Sequence, residues 1–315
     1  MTEVTAFWAG VLGISFLVVG IITYRRDLQV SSHDASDAFG LTALGPVFVA
    51  ASLATFAGEH YTAAAVLAKL VPKWMPVRLF IAYFVGTAHL AAASSFVARR
   101  YIRWSALGLA LMFALFVLLM DLPGAVTHPA IRISWSLAAR QSTFAMGALA
   151  LFATVTTGNQ PHRAKTLATI ARIWTAAVLI FYGVENILYP QFTPGVPDIT
   201  PTQAWVPQPK LIAYATGILL VTFGIAMFVE KYASRAAAGC GLLMTLLTVA
   251  LYVPQWAIAR GVTQRITAIN FVFDTLLFAG TVFMISRAIS ATANVTRAAR
   301  AGSASELAAY SHPSG

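Results

Sequence analysis

Apolar runs of roughly twenty residues recur along this chain, each closed by a short polar, basic or proline-containing step. An α-helix rises about 1.5 Å per residue, so roughly 20 apolar residues cross a hydrocarbon core. Nine such runs are read from the pattern, over residues 5–23, 38–60, 77–97, 104–120, 141–155, 167–188, 211–229, 236–253 and 266–285. Backbone amides in lipid have no water to bond, which makes helices the expected spanning element. The alternating ten-residue segments of a membrane β-barrel are absent. The fold expected is all-α, a polytopic helical membrane protein. In the first run the charges Arg25 and Arg26 follow the apolar residues instead of preceding them, which favours a spanning helix over a signal peptide.

The connections carry their own expectations. Residues 61–70 are Ala-rich and read as a short interfacial helix, with the next span starting after Pro76 because residues before proline avoid the helical region. Residues 125–140, with His128, Arg132, Trp135 and Arg140, are expected to hug the surface, and their period does not choose between extended chain and short helix. Residues 189–210 hold six prolines and Trp205 and read as an irregular loop. The tail 289–315 is rich in Ala, Ser, Thr and Arg and is expected to be disordered.

The order of features repeats. Phe56-Ala57-Gly58-Glu59-His60, then Val71-Pro72-Lys73-Trp74, then Ile81-Ala82-Tyr83 to Gly86 is followed later by Phe181-Tyr182-Gly183-Val184-Glu185-Asn186, Trp205-Val206-Pro207 and Ile212-Ala213-Tyr214 to Gly217. This divides the chain into an N-terminal helix and loop (1–37), two tandem four-helix units (38–156 and 166–288) and the tail. Four helices per unit would make the repeats parallel, related by an axis along the membrane normal.

Composition narrows the function classes. Hydrophobic residues make up 58% and charged ones 10%, far from the soluble balance of about 25% charged. The net charge of +10 is assigned to helix ends facing anionic lipid and not to nucleic acid, because no basic cluster lies on a soluble domain. More than half of the 21 Lys and Arg fall on one side if connections alternate, which predicts the N-terminus outside and the C-terminus in the cytoplasm. The single Cys240 excludes an intrachain disulfide and a Cys-rich metal site. No metal-ligand spacing, phosphate-binding glycine loop or Ser-His-Asp arrangement is present, and no catalytic residue is assigned.

Phe-x-Gly with an acid/His or acid/Asn pair, Val-Pro with a nearby Trp, and Ala-Tyr-x-x-Gly opening the next helix resemble the DoxX-like family of small four-helix bacterial membrane proteins. The resemblance covers residues 41–156 and 166–288, and the double length departs from the family's single unit. It implies the bacterial cytoplasmic membrane and an accessory role in a respiratory or redox system, with an outer polar pocket for a quinone head group or a partner subunit. The alternatives are a small-solute transporter using deep ionisable residues, or a structural, lipid-binding protein.

The candidate residues fall in two groups. Glu59 and His60, Glu185 and Asn186, and Asp121 sit at outer helix ends, where a carboxyl beside a titrating imidazole handles protons or binds a head group. The alternative is that these groups are simply wetted at the interface. Tyr83 and Tyr214 open matched spans and either anchor them or point phenols into the pocket. His89 and Asp274 lie roughly 18 Å and 12 Å inside their spans, depths at which an ionisable group needs a partner or a function. Asn270 and His89 are the partners expected for Asp274.

Overall fold

A computed structural model describes residues 2–31 and 38–311. Apart from one isolated backbone bridge, Phe192 to Pro201, the described residues form helices and loops. The helices are α1 (Glu3–Ser31), α2 (Gly45–Thr62, after a 3₁₀ turn Ala38–Leu44), α3 (Ala64–Leu67), α4 (Arg78–Ala98), α5 (Ile102–Phe116), α6 (Leu122–Thr127), α7 (Arg132–Thr156), α8 (Pro161–Leu188), α9 (Pro209–Phe228), α10 (Glu230–Leu247), α11 (Val253–Ile258) and α12 (Val262–Ser311). Eight helical segments among the described residues are long and apolar enough to cross a membrane. The protein is an all-α, multi-pass membrane protein.

Two expectations are corrected, the first by the ninth long helix, α7. It starts at Arg132, so residues 132–140 do not hug the surface but form its first turns. Its arginines keep it from the apolarity of a lipid-facing span, and it packs instead among α5, α8 and α12. The other correction is at the C-terminus. Helix α12 runs on to Ser311 through the segment expected to be disordered, and residues 312–315 lie outside the described residues.

Burial separates the helices by role. In α2 the most apolar window is 89% buried and in α12 83%, whereas in α1 it is 33% and in the span containing α5 and α6 17%. So α2 and α12 are the interior, and the last two expose Phe7, Val18, Leu111 and Leu118 on faces suited to lipid. Lipid tails are as apolar as leucine, so helices associate in membranes through close packing and not through water exclusion. A Cβ on Gly183 would lie 2.6 Å from the Gly217 carbonyl oxygen, and one on Gly280 2.7 Å from that of Gly45. These contacts let α8 meet α9 and α12 meet α2 at backbone distance.

Polar ties fix the chain directions. Arg265 pairs with Glu3 at 3.0 Å, so α1 and α12 begin on one face. On the opposite face Arg99 pairs with Asp27 at 3.0 Å, and the Tyr24 hydroxyl donates to the Phe96 carbonyl at 3.0 Å, which joins the ends of α1 and α4.

Local features recur in the two halves in the same order. The Glu59 carbonyl accepts from Ala63 where α2 closes, and the Glu185 carbonyl accepts from Tyr189 where α8 closes. Val77 and Gln208, with φ of 47° and 49°, cap α4 and α9. A five-residue π-helical turn, Val117–Asp121 or Thr248–Tyr252, then precedes a short helix opened by Pro123 or Pro254. Gly86 packs on His60 as Gly217 packs on Asn186.

Candidate functional site

A cavity of about 480 Å³ opens between the ends of α2, α4, α7 and α12 and the π turn after α5. The C-terminal end of α2 supplies Glu59 and His60, α4 supplies His89, and the π turn ends in Asp121. Helix α7 adds Arg140 and Gln141, and α12 adds Asn270 and Asp274. Phe56, Phe113, Phe116, Phe144 and Phe271 line the wall between them, Leu67, Leu70 and Val71 cover one side, and Asp198 and Thr200 stand at the rim. Asp274 is twelve residues into α12 and His89 eleven into α4, roughly 18 Å and 16 Å along their axes. The site is a polar recess reaching into the membrane-spanning part of the bundle.

Its electrostatics centre on a pair. Arg140 donates from Nη1 to Oδ2 of Asp274, joining α7 to α12. The expected partners of Asp274 were Asn270 and His89, and the structure replaces them with a cation from a different helix. About a fifth of each side chain remains accessible, 19% for Arg140 and 21% for Asp274, facing the cavity both residues line. Asn270, one turn before Asp274, lies against the Glu59 carboxylate. His60 bonds through Nδ1 to the Phe56 carbonyl at 2.8 Å, which turns its ring edge-on to His89, 5.4 Å away. His89 is held between the rings of Phe56 and Phe113.

Much of this polar surface is unspent. Nine buried side-chain atoms among the described residues have no hydrogen-bond partner, and six of them belong to the lining: Oε1 of Glu59, both ring nitrogens of His89, Oδ2 of Asp121, Oε1 of Gln141 and Oδ1 of Asn270. Glu59 is 6% exposed and His89 4%. Each unsatisfied buried group costs about 1–3 kcal/mol, so six around one void is a concentrated expense.

Of the residues singled out from sequence, Glu59, His60, His89, Asp121, Asn270 and Asp274 come together here. Glu185, Asn186, Tyr83 and Tyr214 do not line the cavity. Glu185 pairs with Arg132 at 2.6 Å, and Arg132 also donates to the Asp198 carbonyl at 2.6 Å and lies over the rings of Tyr189 and Phe192. Asn186 donates to the carbonyls of Tyr182 and Gly195 and accepts from the Gly195 amide at 2.9 Å. Tyr83 and Tyr214 are 42% and 41% exposed on the outside of the bundle, which suits anchoring and not a pocket.

Sequence reasoning passed over Arg140 and Gln141. A helix begun at the Pro129 break, and not at Gln141, puts Arg140 more than two turns below its start and level with deep groups on other helices. Among the described residues no group of three or more His, Cys, Asp or Glu is arranged to hold a metal ion. Comparison with protein families, with curated proteins and with solved structures returns no match.

Proposed function

We propose that this membrane protein binds a small polar solute in the recess between α2, α4, α7 and α12 and acts as a carrier for it. The observation that supports this is that six unpartnered polar atoms belong to side chains lining one cavity. Its volume lies within the range of about 300–1,000 Å³ usual for small-molecule sites. The recurring caps, π turns and glycine contacts support an origin by tandem duplication, as in the DoxX-like reading, and the distribution of Lys and Arg supports an N-terminus on the outer side.

A quinone head group is the second reading, favoured by the phenylalanine wall and by the one N–H that a neutral His89 can offer. Quinone carbonyls need donors, however. The other strong donor, Arg140, is committed to Asp274, while the unpartnered atoms are mostly carboxyl and amide oxygens. The donor and acceptor balance therefore favours a solute that brings its own hydrogen-bond donors.

Mass spectrometry of small molecules and quinones that co-purify with the wild type and with His89→Leu tests both. A polar solute retained by the wild type and lost from the variant is the expected result. A quinone that behaves this way returns the site to a redox role. Retention of neither, with no stabilisation by any added small solute or short-chain benzoquinone, sinks the binding reading.

A further inference from the structure

Charge and wall chemistry together narrow the solute. Asp198 at the rim is turned to its own loop, where Oδ1 accepts from the amides of Ile199 and Thr200 and from the Thr200 hydroxyl. That leaves Glu59 on α2, Asp121 in the π turn and Asp274 on α12 facing the interior, against one guanidinium, Arg140 on α7. His60 and His89, on α2 and α4, are the remaining titratable groups of the recess. They add positive charge only by taking up protons themselves.

With all three carboxyl groups ionised and both imidazoles neutral, the recess would carry two uncompensated negative charges in a medium that penalises each heavily. Something positive must accompany them. When the site is empty that is protons, on the carboxyl groups or the imidazoles. When it is filled, a cation can take their place. The five phenylalanine rings of the lining offer π faces to a cation and apolar contact to its carbon skeleton. A bare metal ion has no carbon skeleton for those rings to pack against, and among the described residues no three His, Cys, Asp or Glu are grouped to hold one.

Resting on the solute-binding reading, we propose that the recess takes a small protonated organic amine, with Glu59 as its principal counter-charge, in exchange for protons held by the site. The ammonium group supplies three N–H donors, which match the unpartnered oxygens of Glu59, Asp121, Gln141 and Asn270. Among the carboxyl groups Glu59 is the best placed, because it is buried with Oε1 unpartnered, whereas Asp121 is half-buried and Asp274 is already paired with Arg140. Charge balance sets the stoichiometry. A monocation that enters a recess already neutralised by protons displaces about one proton to the solution.

Three near-isosteric probes test this on the full chain in detergent: 2-phenylethylamine, 2-phenylethanol and phenylacetate. Binding is read by calorimetry, and proton release by a pH indicator in weak buffer. The expected result is binding of the amine alone, with about one proton released per amine. Glu59→Gln should weaken it roughly tenfold or more, the loss of a charged hydrogen bond of about 1.5–3 kcal/mol. Asp121→Asn is the second variant should Glu59→Gln fail to fold, and the proton release needs no variant.

Binding of the alcohol or the acid as tightly as the amine overturns the amine inference and leaves solute binding standing. Amine binding without proton release, or a response to sodium or potassium that matches the amine's, overturns it as well. Binding of none of the three probes overturns the inference too, and the co-purification experiment then decides separately whether the recess binds anything.

Discussion

The two halves carry a similar step at the end of a long helix, and they use it oppositely. In the first half, Glu59-His60 faces an open recess with Oε1 of Glu59 and both ring nitrogens of the neighbouring His89 unpartnered. In the second half, Glu185-Asn186 is closed by the loop between α8 and α9, whose residues 193–197 are buried. Gly195, with φ of 109°, brings that loop under Asn186, and the Tyr252 hydroxyl donates to the Pro194 carbonyl. Tyr252 ends its π turn as Asp121 ends the other, yet Tyr252 is bonded to the loop and the Asp121 Oδ2 atom is bare. A polar step can therefore serve stability or leave a site open, and the chain that covers it decides which.

The comparison predicts opposite responses to mutation. The largest effect belongs to Arg132→Ala, which leaves Glu185 buried without its cation and the Asp198 carbonyl without its donor. A loss of about 3–5 kcal/mol is expected from removing one partner of a buried pair. It would be measured by reversible unfolding in mixed micelles. A loss under about 1 kcal/mol would mean that the second step is not structural.

A smaller loss follows from Gly195→Ala. The left-handed backbone disfavours a side chain, and the new Cβ would sit 3.2 Å from Leu247 Cδ1, so about 1–3 kcal/mol is expected. Unchanged stability, together with unchanged protection of the Thr193, Gly195 and Val196 amides in hydrogen exchange, would show that the loop does not plug the second half.

The smallest effect on stability, and the largest contrast, is in the first half. Glu59→Gln keeps the shape that meets Asn270 and changes a side chain whose Oε1 is unpartnered, and His89→Leu removes two unpartnered ring nitrogens, so each should leave stability within about 1 kcal/mol of the wild type or raise it. Ligand retention should fall in both. A loss of 3 kcal/mol or more in either would make the first step structural like the second and erase the distinction between the halves.

Much of the architecture was written in the sequence because lipid imposes a simple rule. Backbone groups must be satisfied within each segment, so every run of about twenty apolar residues becomes a helix, and prolines and basic clusters mark its ends. That His89 and Asp274 lie well inside their helices followed from the same counting, although α12 starts four residues earlier than expected and sets Asp274 deeper. What escaped was the start of α7, residues 132–140, whose arginines made its first turns read as surface. Apolarity identifies helices that face lipid, and a helix sheltered by three others is free of that demand. The site escaped for a related reason. Glu59-His60 and Glu185-Asn186 look alike along the chain, and only tertiary structure places Arg132 and Gly195 against one pair and a void against the other. A residue's own type and spacing set its capacity to bond. Whether that capacity is met depends on groups that folding brings from elsewhere in the chain, as Arg140 is brought to Asp274 across 134 positions.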